Sequence, residues 1–225
     1  MPKPFLIDMI KESLQSIFNE LKNGNNLGEP ITLVGATKFQ PVELINEAIE
    51  SGLKDVGENK AQEFRDKFDS VLPVNYHFFG TLQKNKVKYL IGKCYLIQSV
   101  DSLELIEEIN RQSLNKQVTT NILLEVNLGE EQKGGLNFSE IKEVLSKISN
   151  YSQVKVLGLM AMLPDSNDEV LLVSLLEKLR AFYDELKLLY NFKYLSVGMS
   201  NDYLLAIKHG SNMVRIGTKI FGKRY

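Results

Sequence analysis

The chain has 225 residues, which at roughly 150 residues per domain allows one large domain or two small ones. Apolar residues make up 44% and charged residues 24%, a balance that excludes a disordered, collagen-like or coiled-coil chain. Its 27 basic and 28 acidic residues leave a net charge of -1, so no overall field attracts nucleic acid or anionic lipid, and any anionic ligand must be bound locally.

Apolar residues alternate along the chain between helical spacing and short strand-like runs. Residues 5–21 have helical spacing and precede every predicted strand. Eight apolar runs then predict strands at residues 31–36, 54–58, 76–80, 95–100, 120–127, 154–162, 194–198 and 213–217. Helices are predicted between them at about 41–51, 60–69, 83–91, after an Asp101 N-cap, after a Ser139 N-cap, and at about 168–190 and 201–209.

This order of elements predicts the fold class. Strands that are apolar on both faces and separated by helices are typical of a parallel sheet covered on both sides. Eight units averaging about 28 residues favour a single α/β domain over residues 1–225, a closed (β/α)8 TIM-type barrel with an extra N-terminal helix. The alternative is an open, doubly wound sheet.

Two loops at one end of such a barrel are candidates for binding phosphate. Active sites of these barrels lie at the carboxyl ends of the strands, and phosphate is often bound after strands seven and eight. Here residues 198–202 form a glycine turn that enters a helix, and Gly217 and Thr218 follow the last strand. Free N–H groups at these places favour an anion. The alternative is that Ser200 is an ordinary N-cap and Gly217 an ordinary turn residue.

Three charged residues fall in or next to the strands. Lys38 directly follows the first strand, and a lysine condenses with carbonyl compounds when desolvation or a nearby cation lowers its pKa. Arg215 and Glu125 lie within apolar strands, where each needs a ligand or partner, and the two could simply neutralise each other. Lysine, arginine and phosphate loops together suggest pyridoxal 5′-phosphate (PLP), with its aldehyde on Lys38 and its ring nitrogen near Arg215.

Six sequence runs carry a family resemblance, in this order between Ile31 and Gly222: VGATKFQP, VGENKAQE, HFFGTLQKNK, EVNLGEEQKGG, GLMAM and GMSNDYLLAIKHGSNMVRIGTKIFG. They resemble the pyridoxal phosphate homeostasis protein family. The resemblance implies a fold similar to the N-terminal barrel of alanine racemase and PLP binding without an established catalytic reaction. It also implies that Lys38 is the Schiff-base lysine, that Arg215 faces the pyridine nitrogen, that the phosphate is held by Ser200, Gly217 and Thr218, and that Asn59 lines the pocket.

We expect a protein of vitamin B6 homeostasis that stores or delivers PLP and does not act as a catalyst. A PLP-dependent racemase needs a base on each face of the substrate, and no residues remain here for the separate domain that supplies the second base in fold relatives. A cation beside the ring nitrogen also disfavours its protonation, which weakens the cofactor as an electron sink.

Three other functions remain open. A weak PLP-dependent amino-acid racemase or lyase would recruit Tyr203 or His77 as its second base. A Schiff-base aldolase would use Lys38 on a sugar phosphate. An interaction module would bind nucleic acid or an acidic partner through the basic residues at 84–88, although a near-zero net charge disfavours this function.

Cysteine usage and the start of the chain favour a cytoplasmic protein. Cys94 has no internal disulfide partner, and Asp8 and Lys11 interrupt the apolar stretch that a signal peptide needs. No stretch reaches the roughly eighteen apolar residues of a membrane span, and the histidines and cysteine give no metal pattern. We expect a monomer that binds PLP and passes it to PLP-dependent apoenzymes, with neither nucleic acid nor membrane as a partner.

Overall fold

A computed structural model describes residues 4–129 and 134–222. Within these residues, eight parallel strands close into a barrel in chain order. The strands are Thr32–Ala36 (β1), Asp55–Glu58 (β2), Asn75–Phe78 (β3), Leu96–Val100 (β4), Thr120–Val126 (β5), Val154–Ala161 (β6), Tyr194–Ser196 (β7) and Met213–Ile216 (β8). Because β8 pairs with β1, the predicted closed barrel is confirmed and the open-sheet alternative is wrong.

Helices follow the strands and cover the outside of the barrel. The α-helices are Pro4–Leu21 (α1), Val42–Glu50 (α2), Ala61–Lys67 (α3), Leu103–Lys116 (α4), Phe138–Lys147 (α5), Glu169–Tyr190 (α6), Tyr203–Lys208 (α7) and Thr218–Phe221 (α8). Two short 3₁₀ helices occupy Lys84–Tyr89 and Ile148–Asn150. The predicted extra N-terminal helix is α1, which packs against α2 and α8.

Side chains of the strands point alternately into the barrel and out towards the helices. The outward-facing side chains and the apolar faces of the helices form the larger core. A smaller apolar cluster fills the interior of the barrel, as in other barrels of this type: Val34, Phe79, Leu96, Leu123, Leu157, Met160 and Met213. Among the described residues, the interior of the barrel is therefore packed with side chains and forms no open channel.

Several helix starts differ from the sequence predictions. Ser102, and not Asp101, caps α4, because its Oγ accepts the N–H of Leu105 at 3.3 Å. Asn137, and not Ser139, caps α5 and forms a capping box with Glu140. In both cases the residue with extended backbone next to the first helical residue takes the cap.

Two further differences concern short segments. The basic segment predicted as a helix at 83–91 is the 3₁₀ helix Lys84–Tyr89, whose turns close by short bonds such as that from Leu90 N–H to the Val87 carbonyl. The helix predicted from residue 201 begins at Tyr203, and the four-residue α8 was not predicted. Residues 130–133 of the EVNLGEEQKGG run lie outside the described residues.

In the described part of the chain, every helix is too short or too polar to cross a lipid bilayer.

Candidate functional site

A cavity of about 950 Å³ opens at the carboxyl end of the barrel. Its wall is formed by the ends of β1, β6, β7 and β8 and by the loops that follow them. Five of the six predicted cofactor-binding residues lie in this wall: Lys38, Ser200, Arg215, Gly217 and Thr218. The structure thus brings together, in one place, residues that are up to 180 positions apart in the sequence.

Lys38 stands two residues beyond the end of β1, on the same side of the chain as Ala36, and both residues line the cavity. The intervening Thr37 is buried and points away from the cavity. Its Oγ1 donates to Glu58 Oε1 at 2.8 Å, and its carbonyl oxygen accepts from Lys67 Nζ at 3.1 Å. The backbone next to Lys38 is therefore held by hydrogen bonds of Thr37 to Glu58 and Lys67.

The anchor behind Lys38 is a buried ion pair between β2 and α3. Lys67 Nζ lies 2.8 Å from Glu58 Oε1 and 3.1 Å from Glu63 Oε2. Burial raises the pKa of Glu58 despite its hydrogen bond to Lys67. For Glu63, partial burial is outweighed by the Phe39 N–H and the Lys67 ammonium, which together lower its pKa. The charges of this cluster fix the loop after β1 in place.

The loops after β7 and β8 meet at the cavity. The N–H of Gly217 donates to Ser200 Oγ at 3.4 Å, which joins the two predicted phosphate loops directly. A side chain at Gly217 would be crowded, because a Cβ there would lie 3.1 Å from the Ala36 carbonyl oxygen and 3.2 Å from the Ala36 Cβ. The N–H groups of Thr218 and Lys219, at the start of α8, have no acceptor inside that helix. The hydroxyls of Ser200 and Thr218 and the N–H groups at the start of α8 thus lie close together, and Gly217 places no side chain among them.

Ser200 is not an N-cap. Helix α7 begins at Tyr203, and the residue before it, Asp202, accepts the N–H of Met199 through its carboxylate at 2.5 Å. The interpretation of Ser200 as an ordinary cap is therefore wrong. Its hydroxyl faces the cavity and Gly217.

Arg215 supplies a buried cation in the cavity wall. It is 5% exposed, and its Nη1 donates to the Ser196 carbonyl oxygen at 2.9 Å and to Ser196 Oγ at 2.6 Å. Its Nη2 donates to the carbonyl oxygen of Ala161 at 3.0 Å. Burial lowers the pKa of Arg215 to about 10, against the attraction of Glu125 and Asp202, so the group remains charged at neutral pH.

Glu125 interacts with Arg215 through space. Burial and the negative charge of Asp101 raise the pKa of Glu125 to about 7, and the attraction of Arg215 only partly opposes this rise. The guanidinium bonds described above go to β6 and β7, so a direct Arg215–Glu125 pair is not what holds the arginine.

The other predicted residues lie outside the cavity wall. Asn59 follows β2, where its backbone leaves no room for a side chain at Gly80, and its buried Oδ1 has no hydrogen-bond partner within the described residues. Tyr203 contacts Glu20 and Lys219 through its hydroxyl, and its ring is buried between α1 and α8. Tyr203 is therefore not placed to act as a second base in the cavity.

His77 does not line the cavity either. It is completely buried inside the barrel, with Nε2 3.0 Å from Asp55 Oδ1 and Nδ1 2.9 Å from Gln98 Nε2. Burial lowers the pKa of His77, so the imidazole is neutral. Like Tyr203, it cannot reach a substrate bound beside Lys38 without a change in structure.

Sequence reasoning missed the loop after β6, which forms one side of the cavity. Residues 162–167 and Glu169 lie in the wall, together with Lys208 of α7. Met162 ends the GLMAM run, whereas the other residues of this loop belong to no motif, and for them the signal was their position after a predicted strand.

Comparisons with known proteins identify the family of the chain. The model of the family "Alanine racemase, N-terminal domain" matches residues 36–225. A pyridoxal phosphate homeostasis protein of Aquifex aeolicus is 40% identical over 223 residues, covering 97% of this chain and 96% of that protein.

Two solved structures are similar over nearly the whole chain. The structure of PipY from Synechococcus elongatus with PLP bound has a TM-score of 0.84 at 28% sequence identity. The match covers 95% of this chain and 100% of the PipY chain. Alanine racemase of Clostridium difficile has a TM-score of 0.79 at 15% identity, and the match covers 96% of this chain but 56% of the racemase. The racemase similarity shows the fold alone.

Proposed function

The chain belongs to the pyridoxal phosphate homeostasis protein family, and from this premise we propose that it binds PLP as a Schiff base on Lys38. It then acts in vitamin B6 homeostasis as a carrier or buffer of the cofactor. The observation that carries the proposal is that Lys38, the Arg215 cation and the two loops after β7 and β8 all line one cavity.

The residues of the cavity suit the parts of PLP. The phosphate suits the donors at Ser200, Gly217 and Thr218, where the missing Gly217 side chain lets an anion approach the backbone. The ring suits the space beside Arg215, and the aldehyde suits Lys38. When bound, PLP supplies an aldehyde carbon that forms a C=N bond with an amine as water leaves.

Three features support a carrier over a catalyst. Tyr203 and His77, the proposed second bases, lie outside the cavity wall. The Arg215 cation disfavours a proton on the ring nitrogen, and without that proton the cofactor is a weaker electron sink. The cavity is open at the mouth of the barrel, so a small amine can enter and exchange with the Lys38 amine, which returns PLP to solution or to another protein.

The proposal extends to the cellular setting. PLP-dependent apoenzymes would receive the cofactor, the protein would work as a monomer in the cytoplasm, and neither nucleic acid nor membrane would be a partner. Transfer from the loaded protein to an apoenzyme, compared with transfer from free PLP at the same concentration, tests the carrier role.

Borohydride reduction tests the site. The protein is incubated with PLP, reduced with borohydride, digested and mapped by mass spectrometry. We expect the label on Lys38 and its loss in Lys38→Ala, whereas Lys208→Ala, which removes another amine from the wall of the same cavity, keeps it. A label on a different lysine in the unaltered protein would refute the assignment. A lack of any visible absorption band with PLP would favour the sugar-phosphate aldolase.

A kinetic measurement separates carrier from catalyst. The loaded protein is incubated with individual amino acids, and racemisation and elimination are followed against free PLP. Turnover far above that of the free cofactor would contradict the carrier function and support a racemase or lyase.

A further inference from the structure

A chain of hydrogen bonds crosses the interior of the barrel, from the cavity to its opposite end. Arg215 Nη1 donates to Ser196 Oγ at 2.6 Å, and Ser196 Oγ donates to Gln98 Oε1 at 2.7 Å. Gln98 Nε2 is 2.9 Å from His77 Nδ1, and His77 Nε2 is 3.0 Å from Asp55 Oδ1. The five residues come from β8, β7, β4, β3 and β2, and Asp55 is the first residue of its strand.

The middle of this chain is sealed from water. His77, Gln98 and Ser196 are each 0% exposed, and the apolar cluster of the barrel interior lies on the same inward faces of the strands. Buried polar groups are costly unless each finds a partner, and these three find partners chiefly in each other. Loss of one link therefore leaves its neighbours with unsatisfied groups that water cannot reach.

The donors of the chain all run in one direction. A Gln98 Nε2 group can only donate, so His77 Nδ1 accepts and the proton of the neutral imidazole is on Nε2, where it donates to the Asp55 carboxylate. If the Gln98 amide were reversed, a neutral His77 would donate from Nδ1. Its unprotonated Nε2 would then face the Asp55 carboxylate, and two hydrogen-bond acceptors would be in contact. The arrangement that satisfies every group runs from the Arg215 cation to the Asp55 anion.

We propose that Ser196, Gln98, His77 and Asp55 are positioning residues that hold the Arg215 guanidinium against the ring of the bound cofactor. The inference rests on the proposed function, since it assigns Arg215 to that ring. Aligned hydrogen bonds polarise one another, so the Asp55 carboxylate strengthens Ser196 Oγ as the acceptor of Arg215. The hydrogen bonds link the buried cation to a carboxylate at the far end of the barrel, and the guanidinium bonds that the structure shows go to Ser196 and Ala161 and not to a carboxylate.

If the chain of hydrogen bonds couples the two ends of the barrel, binding of the cofactor should change the environment of His77. The protein contains 2 histidines, so ¹⁵N-histidine labelling gives one probe inside the chain, His77, and one outside it, His209. We expect a neutral His77 with its proton on Nε2, and a change in its ¹⁵N shifts when PLP is added. The signals of His209 should not respond. In Gln98→Leu, which breaks the chain between His77 and Ser196, the response of His77 should disappear.

Serine variants measure the effect on binding with a matched control. Ser196→Ala removes a link between Arg215 and Gln98. Ser211→Ala removes another buried hydroxyl, whose partners among the described residues are backbone groups of Leu195, Val197 and Met213. We expect PLP binding to weaken roughly threefold to tenfold in Ser196→Ala, the equivalent of one lost hydrogen bond. It should be unchanged in Ser211→Ala and recover in Ser196→Thr, which keeps the hydroxyl.

The results separate this inference from the proposed function. If borohydride labels Lys38 but Ser196→Ala binds PLP like Ser211→Ala, or His77 does not respond to PLP in the unaltered protein, the positioning chain is refuted and the binding site stands. If borohydride does not label Lys38 in the unaltered protein, the proposed function itself is refuted. A folded Ser196→Ala protein, checked by circular dichroism, is sufficient for the comparison even if Gln98→Leu does not fold.

Discussion

Replacing Glu125 with glutamine tests the electrostatics of the barrel interior. The residue is 7% exposed, and its carboxyl pKa is raised from 4.5 to about 7 by burial and by Asp101. Each unit of pKa difference between the folded and unfolded chain corresponds to about 1.4 kcal/mol. The ionised carboxylate of Glu125 therefore destabilises the folded chain by about 3 kcal/mol at high pH.

The sign of the pH dependence follows from this shift. Because the folded chain binds the Glu125 proton more tightly than the unfolded chain, the stabilisation is complete below about pH 4.5 and is lost as the pH rises through about 7. Glutamine has nearly the same shape and carries no ionisable proton. We therefore expect Glu125→Gln to become more stable relative to the unaltered protein, by about 3 kcal/mol, between pH 4.5 and pH 8.

Urea unfolding of the cofactor-free proteins at several pH values between 4.5 and 8 measures this difference. Glu12→Gln provides the control, because it removes the same charge from an exposed position on α1. Its free energy of unfolding relative to the unaltered protein should change little over the same range. A Glu125→Gln difference that stays constant within about 0.5 kcal/mol over this range would refute the reasoning.

Two further predictions concern the phosphate loops and the anchor of Lys38. The double variant Ser200→Ala with Thr218→Ala should retain the barrel but bind PLP roughly tenfold to hundredfold more weakly, as followed by equilibrium dialysis, because two hydroxyl donors to an anion are lost. Unchanged binding would mean that the phosphate is held elsewhere. Lys67→Met should destabilise the fold by about 3–5 kcal/mol in urea at neutral pH, since it leaves Glu58 buried without its cation. Addition of Glu58→Gln should recover much of that loss, and a double variant no more stable than Lys67→Met would contradict the role of the buried charge.

The fold could be predicted from local patterns because each βα unit spans about 28 consecutive residues, and its strand and helix are visible in the spacing of the apolar residues within that stretch. All eight predicted strands are present, with ends within two residues of those observed. The errors lie where several short polar residues compete for one local role. Asp101 and Ser102 can each cap a helix, as can Asn137 and Ser139, and the choice depends on backbone angles that composition does not specify.

The site was only partly readable from the sequence. Strand ends marked Lys38, Ser200, Gly217 and Thr218, because in a parallel barrel all such ends meet at one mouth. The chain of hydrogen bonds behind Arg215 could not be predicted, since its members depend on which side of each strand faces inward and on contacts across the barrel. His77 and Gln98 are 21 residues apart, and Gln98 and Ser196 are 98 apart.

Under the proposed function, the placement of charge in this barrel accounts for how a reactive aldehyde would be held without entering amino-acid catalysis. Catalysts based on PLP benefit from a protonated ring nitrogen, which a carboxylate at that position would favour. Here the buried group at the cavity is a cation, and its hydrogen bonds go to Ser196 and to the Ala161 carbonyl oxygen, with the Asp55 carboxylate at the far end of the chain of hydrogen bonds. Lys38 meanwhile stands on a loop fixed from behind by Lys67 and Glu58, at a mouth open to solvent. Under the proposed function, such a site would favour reversible capture of the aldehyde at Lys38 and would give little assistance to the later bond-breaking steps of amino-acid chemistry.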